Sequence, residues 1–140
     1  MHREKMVALA AAKFVTIVDE AKLSFDGLGP SFPLPVEISQ FCAQATMRKI
    51  GALPALVGCE PRLRLGSAAN NKVDGDQPAV TDNGNYVVDL FFKQALADPA
   101  EAAKQLKDVI GVVDHGLFCN MTAEAIVASS GKGVYVLKPE

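Results

Sequence analysis

The sequence predicts a mixed chain, with an α/β layer built from its two ends and an α+β unit between them. Three observations predict this. Apolar, β-branched runs at Phe14 to Val18 and Tyr86 to Phe92 read as strands. Two stretches, one after Ser39 and one after Asp98, carry helical spacing of apolar residues behind capping signals. A segment holding Gly27, Gly29, Pro30, Pro33 and Pro35 separates the opening helix and strand from the rest of the chain.

Taken in order, Arg3 to Ala12 is rich in strong helix formers and lacks glycine and proline, which predicts a helix. Phe14 to Val18 (F-V-T-I-V) reads as a strand buried on both faces. Phe25 to Pro35 reads as a boundary. Val36 to Ser39 is a brief strand, and Ser39 is placed to cap a helix with Ala43, Met47 and Ile50 on one face. Arg62 to Leu65 alternates charge with leucine, the pattern of a half-exposed strand, and Gly66 to Pro78 is polar enough to be a solvent loop. Asn83-Gly84 is a turn dipeptide that tolerates positive φ, and it leads into Tyr86 to Phe92, the strongest strand.

Asp98, Pro99 and Glu101 form a helix start: an N-cap, a proline at the first helical position and a glutamate able to close a capping box. Ala102, Leu106, Val109 and Ile110 make its apolar face, and Gly111 ends it. Val112 to Phe118 is a further strand. Ala123 to Ala128 and Gly133 to Leu137 come next, joined by a turn at Ser129 to Lys132. From Pro35 to Phe118 the order is therefore β-α-β-β-α-β, the split, ferredoxin-like arrangement.

Composition narrows the function. With 140 residues, 49% hydrophobic and 21% charged, the chain can bury a core and is not of the disordered class. A net charge of −2 and the lack of a basic block argue against nucleic acid as a partner. A small anionic substrate would be held by a few local cations. Three cysteines without C-x-x-C spacing point away from a disulfide framework or a zinc site and toward a reducing compartment, the cytoplasm. The apolar runs are too short for a bilayer, so no membrane association is expected.

The most specific letters are T-D-N-G-N-Y-V-V-D at Thr81 to Asp89 and G-V-V-D-H-G-L-F at Gly111 to Phe118. R-E-K-M-V-A at Arg3 to Ala8, D-E-A-K at Asp19 to Lys22 and F-P-L-P-V-E at Phe32 to Glu37 accompany them in order. Together these five stretches resemble the C-terminal part of type A ribose-5-phosphate isomerases. The resemblance implies that residues 1–32 and 123–140 are the remnant of a Rossmann-like α/β catalytic domain, and that residues 33–122 are a ferredoxin-like α+β domain. The family's phosphate loop, D-G-A-D segment and K-G-G-G segment, all upstream of R-E-K, do not occur here. Met1 is thus expected to fall about halfway along the family's chain, and a plastid becomes the alternative compartment if a targeting segment was lost with the front half. The resemblance further implies interconversion of ribose 5-phosphate and ribulose 5-phosphate, a sugar phosphate as ligand, no cofactor or metal, and a homodimer or homotetramer.

Carried over residue by residue, the resemblance makes Glu4 the general base and Lys22 a substrate-binding residue. The chemistry suits both. A carboxylate can take a proton from C2 and return it to C1 through an enediolate, and partial shielding from water would raise its pKa toward neutrality. Lys22 lies just past the strand of Phe14 to Val18, outside whose carboxyl end α/β sheets bind ligands, and its ammonium suits a phosphate. Arg3 and Lys5 read as surface or structural residues and His2 as incidental. His115 reads as a satisfied structural histidine, with no second histidine nearby for a metal. Asp82, Asn83 and Asn85 read as Asx side chains bonding their own turn. Lys132, between two glycines, is a turn residue. The competing reading is a non-catalytic ferredoxin-like binding or oligomerisation module.

Overall fold

The structure, a computed structural model, describes residues 1–66 and 75–138. Most of the expected loop from Gly66 to Pro78 lies outside the described residues. The elements run α1 (His2–Ala10), β1 (Val15–Asp19), β2 (Leu34–Ile38), α2 (Ala43–Gly51), β3 (Glu60–Leu63), β4 (Tyr86–Phe91), α3 (Pro99–Asp108), β5 (Val112–His115), β6 (Glu124–Ser129) and β7 (Gly133–Leu137). Short 3-10 turns at Glu20–Lys22 and Pro54–Leu56 complete them. The result is a mixed α/β fold with two sheets.

The first sheet has four strands in the order β3-β4-β2-β5, every neighbour antiparallel. Its edge strand β3 carries Pro61, a residue tolerated at an edge because it has no N–H to donate to a ladder. On one face Leu34, Val36, Ile38, Val88 and Leu90 meet Ile50 of α2 and Ala102 and Leu106 of α3. This is the main core, and its central side chains have no exposed surface. The opposite face presents Glu37, Asp89 and Asp114, all buried.

The second sheet has the order β1-β6-β7. β1 runs parallel to β6, with Ile17 beside Ile126, and β6 runs antiparallel to β7, with Ile126 beside Val136. One face covers Val18 and fully buried Val127, while Ile17, Val134 and Val136 stand exposed on the other. β1 was expected to be buried on both faces. It is not, because among the described residues it has one strand neighbour and nothing lies over Ile17.

Other local expectations also shift. Ser39 does not cap α2. Its hydroxyl accepts from Phe41 N–H, and the cap is Cys42, whose φ of 55° puts it in the left-handed region. Asp98 caps α3 by accepting from Glu101 N–H at 2.9 Å, but the Glu101 side chain turns to Gln105, so the capping box is half formed. α3 stops at Asp108, which leaves Ile110 outside the helix and 87% exposed rather than on its apolar face. The strand after Gly111 ends at His115: Gly116 N–H still bonds Pro35 O on β2, but Pro35 has no N–H to return the bond, and the ladder stops there. The glycine-rich segment before β2 is not a free linker. It packs on the four-stranded unit, with Leu28 O accepting from Leu96 N–H and Gly29, at φ +119°, lying against Phe92.

Candidate active site

The candidate site starts from the charged face of the four-stranded sheet. Glu37 of β2 and Asp114 of β5 are register partners, so two carboxylates meet directly across neighbouring strands. Like charges in that position repel. They are tolerated because each is held by its own set of donors. Thr81 Oγ1 (2.9 Å), Asn83 Nδ2 (3.2 Å) and Asn85 Nδ2 (2.9 Å) all donate to Glu37 Oε1. Burial pushes the Glu37 carboxyl up, but these three hydrogen bonds outweigh it and the net shift is downward. The asparagines therefore serve Glu37 instead of bonding their own turn. The turn is held by Thr81, whose hydroxyl accepts from Asn83 and Asn85 N–H, and by Gly84 at φ +75°.

Asp114 is held by α1. Lys5 Nζ donates to Asp114 Oδ1 and His2 Nδ1 lies against Asp114 Oδ2, both at 2.9 Å, and His115 N–H adds a third bond at 2.8 Å. Burial again pushes this carboxyl up, and the bonds from Lys5, His2 and the backbone bring it down to about 2. Lys5 is itself buried. It also donates to His115 O, lies 3.2 Å from His115 Nδ1 and stands 5.0 Å from the centre of the Phe118 ring. His115 Nδ1 accepts from Leu117 N–H, which puts the ring proton on Nε2. Burial, reinforced by the charge of Lys5, lowers its pKa to about 4. His115 is thus the satisfied structural histidine expected. His2 is not incidental, because it is one of the partners of Asp114.

Arg3 completes the docking of α1. Its guanidinium donates to Asn83 Oδ1 at 3.0 Å and to Asp82 O at 3.1 Å. His2 and Lys5 lie one helical turn apart on the docked face, and Ala8 continues that face. Glu4 projects away from it. Its side chain is 68% exposed and paired with the ammonium of Met1. The hydrogen bond from that ammonium holds the Glu4 carboxyl below the usual value. The expected shielding and upward shift are therefore absent, because no part of the described chain lies over this side of α1.

Lys22 ends the 3-10 turn that comes directly after β1, at the carboxyl end of the parallel β1/β6 pair. Ser129, at the end of β6, bonds Glu20 of the same turn. The Lys22 ammonium is 5.2 Å from the centre of the Phe32 ring. It stands at a cavity of ≈ 480 Å³ whose walls include Leu34, Phe92, Leu96 and Phe118. Those walls are apolar, and a sugar's hydroxyls would find few partners there beyond Lys22, Ser24 and Ser31. A second cavity of ≈ 420 Å³, lined by His2, Lys5, Lys107, Asp114 and His115, lies between α1 and α3. Glu4 lines neither. The described residues thus bring together the groups that seat α1, but they do not place Glu4 and Lys22 in one pocket. They also contain no cluster of three or more His, Cys, Asp or Glu able to hold a metal ion, and no helix long and apolar enough to cross a membrane.

Sequence reasoning gave no role to Glu37 or Asp114. A lone carboxylate in a short strand reads as solvent-facing. The available signal was indirect: a turn crowded with amide and hydroxyl donors, and a helix opening on three potential cations or partners, both of which need a buried acid.

Residues 1–132 match the family model described as ribose 5-phosphate isomerase A (phosphoriboisomerase A). The chain is 44% identical over 137 residues to the probable ribose-5-phosphate isomerase 3, chloroplastic, of Arabidopsis thaliana, covering 96% of this chain and 46% of that protein. It is 36% identical to the ribose-5-phosphate isomerase of Plasmodium falciparum, covering 54% of it. Among solved structures, the ribose 5-phosphate isomerase from Plasmodium falciparum superposes with a TM-score of 0.85 at 34% identity, covering 99% of this chain and 55% of that one. The enzyme from Methanocaldococcus jannaschii gives 0.81 at 33%, with the same coverage. The chain spans about half the length of the curated relatives it matches.

Proposed function

The chain belongs to the ribose 5-phosphate isomerase A family, and we propose that it carries the general-base half of an aldose–ketose isomerase acting on ribose 5-phosphate and ribulose 5-phosphate. The observation that supports this best is Glu4 itself. It is displayed outward from a helix whose first turn is fastened at three positions, His2 and Lys5 to Asp114 of β5 and Arg3 to the Thr81–Asn85 turn. In this reading the Glu4 carboxylate takes the C2 proton of the open-chain aldose, the C2–H electrons move toward O1 to make the enediolate, the hydroxyl proton of O2 passes to O1, and the Glu4 carboxyl returns its proton to C1 as the C2 carbonyl forms. Lys22, beyond the carboxyl end of β1, binds the anionic substrate. The four-stranded unit is a ferredoxin-like domain over residues 33–122. Residues 1–32 and 123–140 are what this chain contributes to a Rossmann-like domain, and the whole works as a homo-oligomer. The sheet order supports the first assignment, while the anchors of α1 tie the segment bearing Glu4 to the ferredoxin-like unit.

Alone, the chain should turn over little substrate. A general base contributes ~10²–10⁴-fold. Loss of even one donor to the oxyanion costs ~10²–10³, and the family's lysine of K-G-G-G and aspartates of D-G-A-D are not among these 140 residues. Glu4 is exposed, with nothing among the described residues to shield it or to hold a sugar against it, and this favours the second reading, a binding or oligomerisation module, for the chain by itself. The test is isomerase activity of the chain, of the chain fused behind the front half of the Plasmodium falciparum relative, and of Glu4→Gln in that fusion. Turnover confined to the fusion and lost with Glu4→Gln supports the proposal. Turnover by the fusion that survives Glu4→Gln sinks it.

A further inference from the structure

We propose that Asp114 is a positioning residue for Glu4: by holding Lys5 and His2 it fixes the rotation of α1 about its axis, and so the direction in which Glu4 points. The inference rests on the reading of Glu4 as the base. It comes from how α1 is attached. A helix is normally seated by an apolar stripe, but Met6, Val7 and Leu9 of α1 are 57%, 65% and 68% exposed, and Ala8 is its one buried apolar side chain. What fixes the helix is charge. Lys5 is 6% exposed, and its ammonium has Asp114 and His115 as its hydrogen-bonding partners. His2 bonds the second oxygen of the same carboxylate.

The geometry then constrains rotation. Successive residues of an α-helix are about 100° apart. Two attachments one turn apart, at His2 and Lys5, set the azimuth of the helix, and Arg3 on the Thr81–Asn85 turn sets its tilt. Glu4, between Arg3 and Lys5 in sequence, has no freedom left but its own side-chain torsions. Asp114 cannot easily be replaced by an apolar partner, because the buried ammonium would lose its counter-charge. It also faces Glu37 across the strands, so the carboxylate row on β2 and β5 is the seat, and the first turn of α1 is what fits it. A buried ion pair is weak evidence for stability; the role assigned to this one is to fix the geometry of α1.

The test uses Asp114→Asn, which keeps shape and removes charge. In the chain itself, amide hydrogen exchange in α1 should rise about tenfold or more while β4 amides keep their rates, since loosening confined to one element is local opening. In the fusion that carries activity, kcat should fall about 10²-fold, the effect of an ångström-scale misplacement of a reacting group, with KM unchanged. Exchange that rises equally in α1 and β4 would show a general structural role and overturn the proposal, as would unchanged kcat. Glu4→Gln separates the two readings: if it leaves turnover intact the base assignment fails, and if it abolishes turnover while Asp114→Asn does not, the positioning role alone fails. Should Asp114→Asn prevent folding, His2→Ala carries the test, because it spares the Lys5–Asp114 pair. It should give a smaller rise in exchange confined to α1, and no rise there would overturn the proposal.

Discussion

Val36 is the middle residue of a five-residue strand and has no exposed surface; Ile17 is the middle residue of another and is 74% exposed. The two side chains are alike in chemistry, so the difference comes from what surrounds them. Val36 lies in β2, flanked by β4 and β5 and packed against the core of α2 and α3 residues, and all of these lie between residues 34 and 115. Ile17 lies in β1, which has one strand neighbour among the described residues and an uncovered face. The four-stranded region closes its own core. The three-stranded region presents the apolar surface of a sheet whose other layer the described residues do not supply. Only the first should behave as an independent folding unit.

The largest expected effect probes that contrast directly. Leu106→Ala, at a position with no exposed surface, should cost about 2–5 kcal/mol of unfolding free energy, lost transfer energy plus the cavity left behind. Ile17→Ala, with similar chemistry removed, should change stability by no more than about 0.5 kcal/mol. Urea titration of both variants checks it. Comparable losses would mean that Ile17 is covered in solution and that the two regions are not different in kind.

Acid should sharpen the comparison, because the titrating seat of α1 lies on the four-stranded sheet. His115, ordinarily near 6.5, is held at about 4, so its protonation favours the unfolded chain. Its contribution is complete above 6.5 and is lost as pH falls from there toward 4, up to roughly 3 kcal/mol. Asp114, held at about 2 against an ordinary 3.8, favours the folded chain when ionised. Its share, roughly 2 kcal/mol, is lost only between about 4 and 2. Denaturant unfolding from pH 7 to 4 should therefore show falling stability, and His115→Gln should flatten that slope. A stability curve flat between 6.5 and 4 would contradict the buried, neutral ring.

How much of this was legible in the letters differs between the same two regions. The β-α-β-β-α-β order of the four-stranded unit was readable because each element carries its own local signal, such as Asp98 before Pro99 or the apolar run from Tyr86. Its edges were less readable. The N-cap of α2 fell at Cys42 rather than Ser39 because Ser39 N–H is still bonded to Gly111 O beside the sheet, and the chain turns through exposed Gln40 and Phe41 before the helix begins. β1 and β6 were readable as strands, but not that β1 would be half bare, since burial depends on neighbours that periodicity does not name. At the site, Glu4 and Lys22 were identified through the resemblance to the family. Glu37 and Asp114 were missed because their burial depends on a helix and a turn remote in sequence, 109 residues apart in the case of Lys5 and Asp114. The expected shielding of Glu4 is absent for the same reason, since shielding comes from whatever lies above it, and the downward shift of its carboxyl comes first from the Met1 ammonium beside it.

A smaller effect tests the independence of the four-stranded unit at one helix end. Asp98→Ala removes the acceptor for Glu101 N–H at the start of α3 and should cost about 1 kcal/mol. Thermal unfolding monitored by far-UV circular dichroism reads it. Because α3 packs on β5 and the Pro54–Leu56 turn of its own unit, the loss should appear in the transition of that unit, and hydrogen exchange in β6 and β7 should stay as it was. Equal acceleration in both sheets would show that the two regions unfold together.

The smallest effect on stability is expected at the bare sheet face, where the change should appear instead in association. Ile17, Val134 and Val136 lie in one cross-strand patch, 74%, 73% and 50% exposed, beside the open edge of β1. An apolar face next to an unpaired edge invites a second copy to add on, and natural proteins discourage this with a lysine at such positions. Ile17→Lys puts a charge in the patch without touching the main core, so the unfolding midpoint should hardly move. The wild-type chain should sediment as associated species at tens of micromolar, roughly the range in which exposed apolar surface drives assembly, and Ile17→Lys should shift it toward monomer. A wild-type chain already monomeric there would show that the bare face does not drive association. An associated Ile17→Lys would instead move the contact to another exposed apolar group, of which Phe41 and Ile110, 84% and 87% exposed on the four-stranded unit, are the first to examine.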